Sequence, residues 1–352
     1  MDFSGIIINW YKKNKRDLPW RNTSNPYHIW LSEIILQQTR VEQGMSYYFA
    51  FTEKYPEITD LAKATSDEVM KTWQGLGYYS RARNLHATAK HICENLNGKF
   101  PTNYNNIIAL KGVGPYTAAA IASFAFNECV AVVDGNVYRL LSRYFGISTP
   151  IDSTQGKNEF FNLCNSLITK KNPGIFNQAI MEFGALQCKP KNPDCFNCPL
   201  QQSCAAFELN KTDELPIKSK KIKIKARHFT YFIITDKNNS IYIKKRIEND
   251  IWKDLYEFPL LENVIKNTND EIQSYLKNKL NLTSFSIQHS SSTIKHILSH
   301  QHLFAEFIHI ETKSLLKPKK EIIKISINEL NNYALPRLIE KYIEAKDEFH
   351  HK

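Results

Sequence analysis

Four cysteines within a short segment are the residues of this sequence whose spacing points most directly to chemistry. They are separated by six, two and five residues and stand at Cys188, Cys195, Cys198 and Cys204. Prolines between them tighten the loop, so four thiolates can enclose one metal centre. Zinc is one candidate, although four-thiolate zinc sites usually pair two short knuckles and only one such knuckle is present here.

A glycine-rich segment, LKGVGPYTA at residues 110–118, predicts two helices joined by a tight turn. Gly112 and Gly114 permit positive φ angles in the turn, and Pro115 suits the first position of the second helix because no N–H donor is needed there. The backbone N–H groups of Gly112, Val113 and Gly114 would then be free to bind a phosphate. The alternative is an ordinary Gly-Pro corner between two helices.

Asp134 is predicted to begin another helix. It follows the apolar pair Val132-Val133 and precedes apolar residues spaced as one helix face. Its side chain would cap the first N–H groups of that helix. A carboxylate at a helix N-terminus is expected to have a low pKa and stay ionised, which would also suit it to face a positively charged sugar.

Glu33 is the second carboxyl group of interest. It lies beside the apolar stripe of a predicted helix in the segment 31–39. A lone helix glutamate is most often a solvated surface residue. A carboxyl group held near an apolar face, however, has its pKa raised by desolvation, as a general acid at neutral pH requires.

Together these motifs resemble the adenine DNA glycosylases of the MutY family, within the helix-hairpin-helix and endonuclease III superfamily. The strings WLSEIILQQTRV and LKGVGPYTA carry much of the resemblance, which spans nearly the whole chain. It implies that Glu33 protonates adenine and that Asp134 is catalytic. Tyr116 and Asn136 would position the sugar, the water or the carboxylates. The cysteine spacing is similar to that of the family's 4Fe–4S cluster, which the resemblance favours over zinc.

The resemblance also assigns residues to the two bases of the mispair. Trp20, Arg21 and Gln178 are expected in the adenine pocket, although Gln178 is equally readable as an ordinary helix glutamine. Gln38 and Tyr78 are expected near the damaged base. Tyr78 belongs to the string LGYYSRARNL, whose aromatic and basic residues suit a wedge that enters the duplex. The alternative is a core tyrosine beside a solvated basic face.

Position 116 distinguishes branches of the superfamily. Relatives of the endonuclease III type carry a lysine there, which forms a Schiff base and cuts the strand. Tyr116 offers no amine nucleophile, so the resemblance predicts base removal without an efficient lyase step.

The composition changes after residue 207, where a basic linker over 208–227 and a small α+β domain over 228–346 are predicted. Strands are expected at 228–235, 240–246, 294–298 and 303–310, and helices at 271–282 and 336–346. The string WKDLYEFP resembles the signature of the family's Nudix-like C-terminal domain, and the hydrolytic Nudix box is absent from the sequence.

Ser299 and His300 are the predicted recognition residues of this second domain. They belong to the string LSH, which is similar to the family's FSH loop that contacts 8-oxoguanine. Both side chains can hydrogen-bond a base edge, whereas Leu298 replaces an aromatic residue that could stack. The alternative for His300 is a buried histidine at a strand end.

The chain has 352 residues, enough for two domains. We expect a multidomain protein with an all-α glycosylase region at 1–207. A helix-hairpin-helix subdomain would cover 27–134, and a cluster-bearing subdomain would combine 1–26 with 135–207. A net charge of +11 is compatible with a polyanionic partner.

No apolar run is long enough to cross a membrane, and the N-terminus shows no secretion signal. We therefore expect a soluble protein in a reducing compartment, without disulfides. We also expect a monomer in the bacterial cytoplasm, associated with the nucleoid. Cys93, Cys129 and Cys164 are expected to be inert core residues.

The predicted function is excision of adenine opposite 8-oxoguanine or guanine in double-stranded DNA, with the adenine flipped out of the duplex. One alternative is a glycosylase for another base, such as thymine opposite guanine or an oxidised pyrimidine. Another is a silent mismatch-binding protein, which the two carboxyl groups argue against.

Overall fold

The structure of the chain is a computed structural model, which describes residues 2–219, 224–263, 265–312 and 322–346. These residues form two compact units. The first comprises Met1–Lys63 and Asn84–Lys221, and the second comprises Ala64–Arg83 and Ile222–Lys352. The predicted limits of the functional domains stay a prediction. The predicted basic linker lies partly outside the described residues, at 220–223.

The described part of the first unit is helical. Its helices are α1 (Phe3–Asn14), α2 (Pro26–Ile35), α3 (Val41–Lys54), α4 (Ile58–Lys63), α6 (Ser80–Asn95, which begins in the second unit), α7 (Tyr104–Ile108), α8 (Pro115–Phe126), α9 (Gly135–Phe145), α10 (Thr154–Leu167), α11 (Pro173–Leu186) and α12 (Ala205–Glu208). The all-α region predicted for the catalytic part of the chain is thereby confirmed.

One apolar core brings the start of the chain to its later helices. Phe3 and Ile7 of α1 pack in a cluster with Leu141 of α9, Phe160 of α10 and Phe183 of α11. Each of these side chains is at most 5% exposed. The burial fixes α9 and α11 against α1, and α9 and α11 also supply part of a polar cavity.

The second unit contains the strands of the described chain and three helices. Its elements are α5 (Ser66–Trp73), β1 (Lys225–Thr235), β2 (Ser240–Lys245), β3 (Tyr256–Glu257), β4 (Leu260–Asn263), α13 (Asn269–Ser274, continued by a π turn at Tyr275–Lys279), β5 (Phe285–Ser290), β6 (Ile294–Ile297), β7 (Gln301–Thr312), β8 (Ile322–Ser326) and α14 (Arg337–Glu344).

The strands form one mixed sheet in the order β3-β2-β1-β7-β5, with β4 on β1, β6 on β7 and β8 on β2. Only the β1–β7 pairing is parallel among the described ladders. The α+β class and the four predicted strands are confirmed. Strands β3, β4, β5 and β8 were not predicted, because they are short or nearly half polar and lack a clear alternation.

Candidate active site

The glycine-rich turn lies between α7 and α8 as predicted. Gly112 has a φ of 77°, and a Cβ there would lie 2.6 Å from Cβ of Asn84, so this position requires glycine for both reasons. Gly114 caps α8 with a φ of −91°, so only one of the two glycines uses the positive region. The N–H of Val113 donates to the Leu110 carbonyl at 3.1 Å. The prediction that this N–H is free is therefore wrong, which leaves Gly112 and Gly114 as the candidate phosphate donors of the turn.

Asp134 is the N-cap of α9. Its Oδ1 accepts the backbone N–H groups of Asn136 and Val137 at 2.9 and 2.8 Å, and its Oδ2 accepts the Asn136 amide at 2.7 Å. Burial nevertheless raises the pKa of Asp134 above its ordinary value, because it outweighs these hydrogen bonds, which lower it. The expectation of a low pKa was wrong for this reason.

Glu33 lies on α2 with only 6% of its surface exposed. The hydroxyl of Tyr116, in the first turn of α8, donates to Glu33 Oε2 at 2.6 Å. Burial, together with the charge of Asp134, raises the pKa of Glu33 to about 7, although the hydrogen bond from Tyr116 acts to lower it. The predicted rise of this pKa is confirmed, so the carboxyl group is poised to carry and release a proton near neutral pH.

Both carboxyl groups open into one cavity of about 180 Å³ within the first unit, which we call the acidic cavity. Its polar lining comes from α2, α8, α9 with its N-cap, α11 and the loops on either side of α2. Residues predicted from the sequence that line it are Trp20, Arg21, Glu33, Tyr116, Asp134, Asn136 and Gln178. A cavity with two carboxyl groups in different hydrogen-bonding environments can separate an acid from a charge-stabilising group.

Arg16 and Glu182, which the sequence did not single out, form one wall of the acidic cavity together with Arg21. Glu182 is 1% exposed and accepts hydrogen bonds from the guanidinium groups of Arg16 and Arg21 at 2.6–3.0 Å. Burial acts to raise the pKa of Glu182, but the hydrogen bonds from Arg21 and Arg16 outweigh it and lower this pKa to about 2. Glu182 lies four residues after Gln178, so both face the same side of α11, and this spacing could have identified it.

Gln178 and Trp20 are held by aromatic neighbours. The Tyr11 hydroxyl donates to Gln178 Oε1 at 2.6 Å, which leaves the amide nitrogen of Gln178 as a donor. Trp20 is 8% exposed and makes an edge contact with Tyr48 at a centroid distance of 5.2 Å. Tyr11 and Tyr48 thus contact two side chains of the cavity wall.

The four clustered cysteines, Cys188, Cys195, Cys198 and Cys204, line one small cavity of about 30 Å³. Arg143 of α9 reaches this loop, since its guanidinium lies 3.5 Å from Sγ of Cys188 and donates to the Lys189 carbonyl at 2.7 Å. Within the described ranges, no three His, Cys, Asp or Glu side chains form a ready site for a single metal ion. The structure thus brings the four thiols together at one cavity.

The other three cysteines differ from one another. Cys164 is fully buried in the helical core, as expected. Cys93 is half-buried, and Cys129 is exposed, so the prediction of a core position is wrong for Cys129. The chain after α8 carries Cys129 out of the apolar run that precedes it.

Tyr78, Ser299 and His300 line another cavity, of about 430 Å³, which lies entirely within the second unit and which we call the second cavity. Tyr78 is 44% exposed with a φ of 48°. The alternative of a core tyrosine is therefore wrong, and so is that of a buried histidine, because His300 is exposed. Gln38 follows α2 with a φ of 57° and does not belong to the lining of the acidic cavity.

Comparisons with known proteins agree with this architecture. Residues 31–166 match the HhH-GPD superfamily of base excision DNA repair proteins, and residues 230–345 match the NUDIX domain. An adenine DNA glycosylase of Buchnera aphidicola from Schizaphis graminum is 36% identical over 97% of this chain and 98% of its own length. The human adenine DNA glycosylase is 41% identical over 60% of this chain and 41% of its length.

Solved structures show the same helical fold. A thermostable thymine-DNA glycosylase is 32% identical with a TM-score of 0.55, covering 59% of this chain and 95% of that protein. Endonuclease III in a non-covalent DNA complex is 22% identical with a TM-score of 0.51, covering 58% of this chain and 94% of that protein. At that identity the second likeness concerns the fold alone.

The helical fold, the hairpin and the acidic cavity define a DNA glycosylase of the helix-hairpin-helix superfamily that also carries a NUDIX domain. Within that class, the chain belongs to the adenine DNA glycosylase family, which are enzymes that hydrolyse N-glycosidic bonds. No helix among the described residues is long and apolar enough to cross a membrane.

Proposed function

We propose that this protein removes adenine mispaired with 8-oxoguanine or guanine from double-stranded DNA, as the first step of base excision repair. The observation that carries the proposal is the pair Glu33 and Asp134 in one cavity, with the pKa of Glu33 raised to about 7. A purine is a poor leaving group unless it is protonated, and its departure leaves a positively charged sugar. The cavity holds a group for each of these needs.

The proton belongs on Glu33 and the negative charge on Asp134. Asp134 accepts three hydrogen bonds, two of them from N–H groups at the start of α9, whereas Glu33 accepts one from Tyr116. Two coupled carboxyl groups that share a charge place it where more donors stabilise it. Glu33 then donates its proton to N7 of adenine, and the C1′–N9 bond breaks with its electron pair moving to the base.

Asp134 would stabilise the oxocarbenium ion that this bond cleavage leaves, either as an ion pair or as a brief covalent adduct. Water would then attack C1′, give its proton to the Glu33 carboxylate, and displace Asp134 if an adduct has formed. Asn136 positions this carboxylate, because its side-chain amide donates to Oδ2 while its own carbonyl accepts from Arg139 at 2.9 Å. Each partner of Asp134 is therefore itself fixed by the fold.

The flipped adenine would contact Trp20, Arg21 and Gln178. Gln178 offers amide N–H groups because its carbonyl is occupied by Tyr11. The buried Glu182 holds Arg21 through two hydrogen bonds, at 2.9 and 2.8 Å. We assign Glu182 and Arg16 the task of keeping this wall of the pocket in place.

Cys188, Cys195, Cys198 and Cys204 would hold a 4Fe–4S cluster. The residues fit this group, because all four thiols line one cavity and Arg143 lies within reach of Cys188 to balance the charge of thiolate ligands. When bound, the cluster would cross-link the loop that follows α11, and the chemistry of base removal would remain with the acidic cavity.

Duplex DNA would be bound at the hairpin turn, where Gly112 and Gly114 face a phosphate, with Val113 shaping the turn. Tyr78, which lines the second cavity, would contact the base opposite adenine, and the contact of Gln38 with that base stays a prediction from the sequence. We propose that the protein acts as a monomer on nucleoid DNA in the bacterial cytoplasm. Because Tyr116 supplies no amine, base removal should occur without strand cleavage.

The test is single-turnover incubation with duplexes that carry adenine opposite 8-oxoguanine, guanine or thymine, and a fourth duplex with thymine opposite guanine. Strand breaks that appear only after hot alkali, for the first two duplexes alone, would support the proposal. Breaks without alkali, or a borohydride-trapped complex, would refute the monofunctional reaction. Release of thymine from the fourth duplex, without adenine release, would favour the activity named for the thymine-DNA glycosylase relative.

A further inference from the structure

The second cavity is bordered by a chain of hydrogen bonds that starts at a buried cation. Arg227 of β1 is 6% exposed and donates to both oxygens of Asp250 and both oxygens of Glu262. Its remaining Nη1 contact is to Oε1 of Gln301, at 3.0 Å. Because hydrogen bonds to two carboxylates fix its orientation, the guanidinium group keeps Nη1 directed at Gln301.

The cation fixes the orientation of the Gln301 amide. A guanidinium only donates hydrogen bonds, so the Gln301 atom that faces Arg227 has to be the carbonyl oxygen. The NH2 group of Gln301 therefore points the other way, where it lies 2.8 Å from Nε2 of His300. Gln301 is itself only 7% exposed, at the first position of β7.

The amide in turn selects the tautomer of His300. An amide NH2 group only donates, so Nε2 of His300 has to accept, and the proton of the neutral ring sits on Nδ1. Nδ1 lies 3.1 Å from Oγ of Ser299. The Ser299 oxygen accepts this N–H, which leaves its own O–H as a donor.

We infer that Arg227 and Gln301 act as positioning residues that set the Ser299 hydroxyl as a hydrogen-bond donor into the second cavity. Both Ser299 and His300 are exposed at this cavity. A hydroxyl donor in the second cavity can form a hydrogen bond with a ligand that presents an acceptor atom. 8-Oxoguanine carries a carbonyl oxygen at C8 where guanine carries only hydrogen, so a donor that faces C8 finds an acceptor in 8-oxoguanine and none at that atom in guanine. The inference rests on the proposed function for its ligand, but not for the hydrogen-bond chain itself.

Gln301→Glu tests the series of hydrogen bonds from Arg227 to Ser299 most directly. The carboxylate keeps the shape of the side chain and a contact with Arg227, but it presents an acceptor to His300. The ring proton would move to Nε2, and Ser299 would then donate to Nδ1 instead of to the cavity. Asn267→Asp is the matched control, because Asn267 is also a buried amide of this unit, 6% exposed. Its amide donates a hydrogen bond to Thr230 and takes no part in the series from Arg227 to Ser299.

The spectroscopic measurement uses the full protein with 15N-labelled histidine, in which the two ring nitrogens of a neutral imidazole have distinct shifts. A His300→Asn variant identifies the His300 signals. We expect the proton on Nδ1 in the parent protein and in Asn267→Asp, and on Nε2 in Gln301→Glu. A parent ring with its proton on Nε2, or a ring that does not change in Gln301→Glu, would overturn the inference.

The functional measurement compares single-turnover excision of adenine opposite 8-oxoguanine with excision opposite guanine. Gln301→Glu should reduce the preference for 8-oxoguanine about fivefold to tenfold, as the loss of one hydrogen bond implies, and Ser299→Ala should do the same. The double variant should be no worse than either single variant. Additive losses would overturn the inference. A parent protein without any preference for 8-oxoguanine would refute the proposed lesion specificity instead. The 15N spectrum would still test the series of hydrogen bonds from Arg227 to Ser299.

Discussion

The Tyr116 hydroxyl donates a 2.6 Å hydrogen bond to Oε2 of Glu33, and so a residue at the start of α8 holds the carboxyl group of α2. Burial raises the pKa of Tyr116 well above its ordinary value, so the phenol stays protonated and remains a donor. The contact stabilises the charged form of Glu33. It therefore restrains the rise in the pKa of Glu33 that burial produces.

Tyr116→Phe should shift the pH dependence of excision upward. If protonated Glu33 is the acid, the excision rate falls as the pH rises through its pKa of about 7. Loss of the hydrogen bond raises that pKa, so the variant should retain its rate to a higher pH. The measurement is a pH profile of single-turnover excision. Tyr27→Phe is the control, because the Tyr27 hydroxyl contacts the Tyr55 carbonyl outside the cavity; an unshifted or lowered midpoint in Tyr116→Phe would contradict the assignment.

Asp134→Asn should separate catalysis from stability. Asparagine caps a helix about as well as aspartate, so the thermal unfolding midpoint should change little. The charge that faces the oxocarbenium ion is lost, so single-turnover excision should fall by about 10²–10³-fold. Asp60→Asn, on α4 and outside the lining of the acidic cavity, serves as the control for the loss of one aspartate charge. Near-full activity in Asp134→Asn would disprove the electrostatic role.

Glu182→Gln should destabilise the first unit at neutral pH, because Arg16 and Arg21 lose their charged partner. Breaking a buried ion pair costs about 3–5 kcal/mol. The loss in the free energy of unfolding should be smaller in Glu182→Gln, because the Arg16 side chain is 33% exposed to solvent.

The effect of Glu182→Gln should also depend on pH. Because the pKa of Glu182 is lowered from 4.5 to about 2, its stabilisation is present above pH 4.5 and is lost as the pH falls toward 2. Urea unfolding across this range should show that the difference in the free energy of unfolding between parent and variant becomes smaller below pH 4.5. Glu53→Gln, at an exposed site on α3, should show no such trend, and a constant difference down to pH 2 would contradict the assignment.

Cys198→Ser should remove iron and sulfide together. If the four cysteines hold a 4Fe–4S cluster, loss of one thiolate should abolish the visible absorption of the purified protein and lower its thermal stability. The measurement is the iron and acid-labile sulfide content per chain. Cys129→Ser, at an exposed cysteine outside the loop, should keep both. Zinc in the parent protein, without sulfide, would support the alternative that the spacing left open.

The hairpin turn and the helix that Asp134 caps could be predicted because they depend on local signals. Gly112 and Pro115 mark a turn and a helix start, and Asp134 before an apolar helix face marks an N-cap, all within a few residues. The short strands β3, β4 and β8 could not be predicted in this way. Each is stabilised by its pairing with β1 or β2, which lie at other places in the sequence.

The sequence by itself singled out the residues that we propose for the chemistry: the carboxyl groups of Glu33 and Asp134, the four clustered cysteines and Tyr116. Only the tertiary structure decided how those groups are tuned. Burial, which depends on packing between distant segments, raises the pKa of Asp134 against the local expectation of its helix cap. Likewise, Glu182 meets Arg16 and Arg21 across more than 160 residues of sequence. Local spacing identifies a functional group, whereas its protonation and orientation depend on neighbours that only the folded chain supplies.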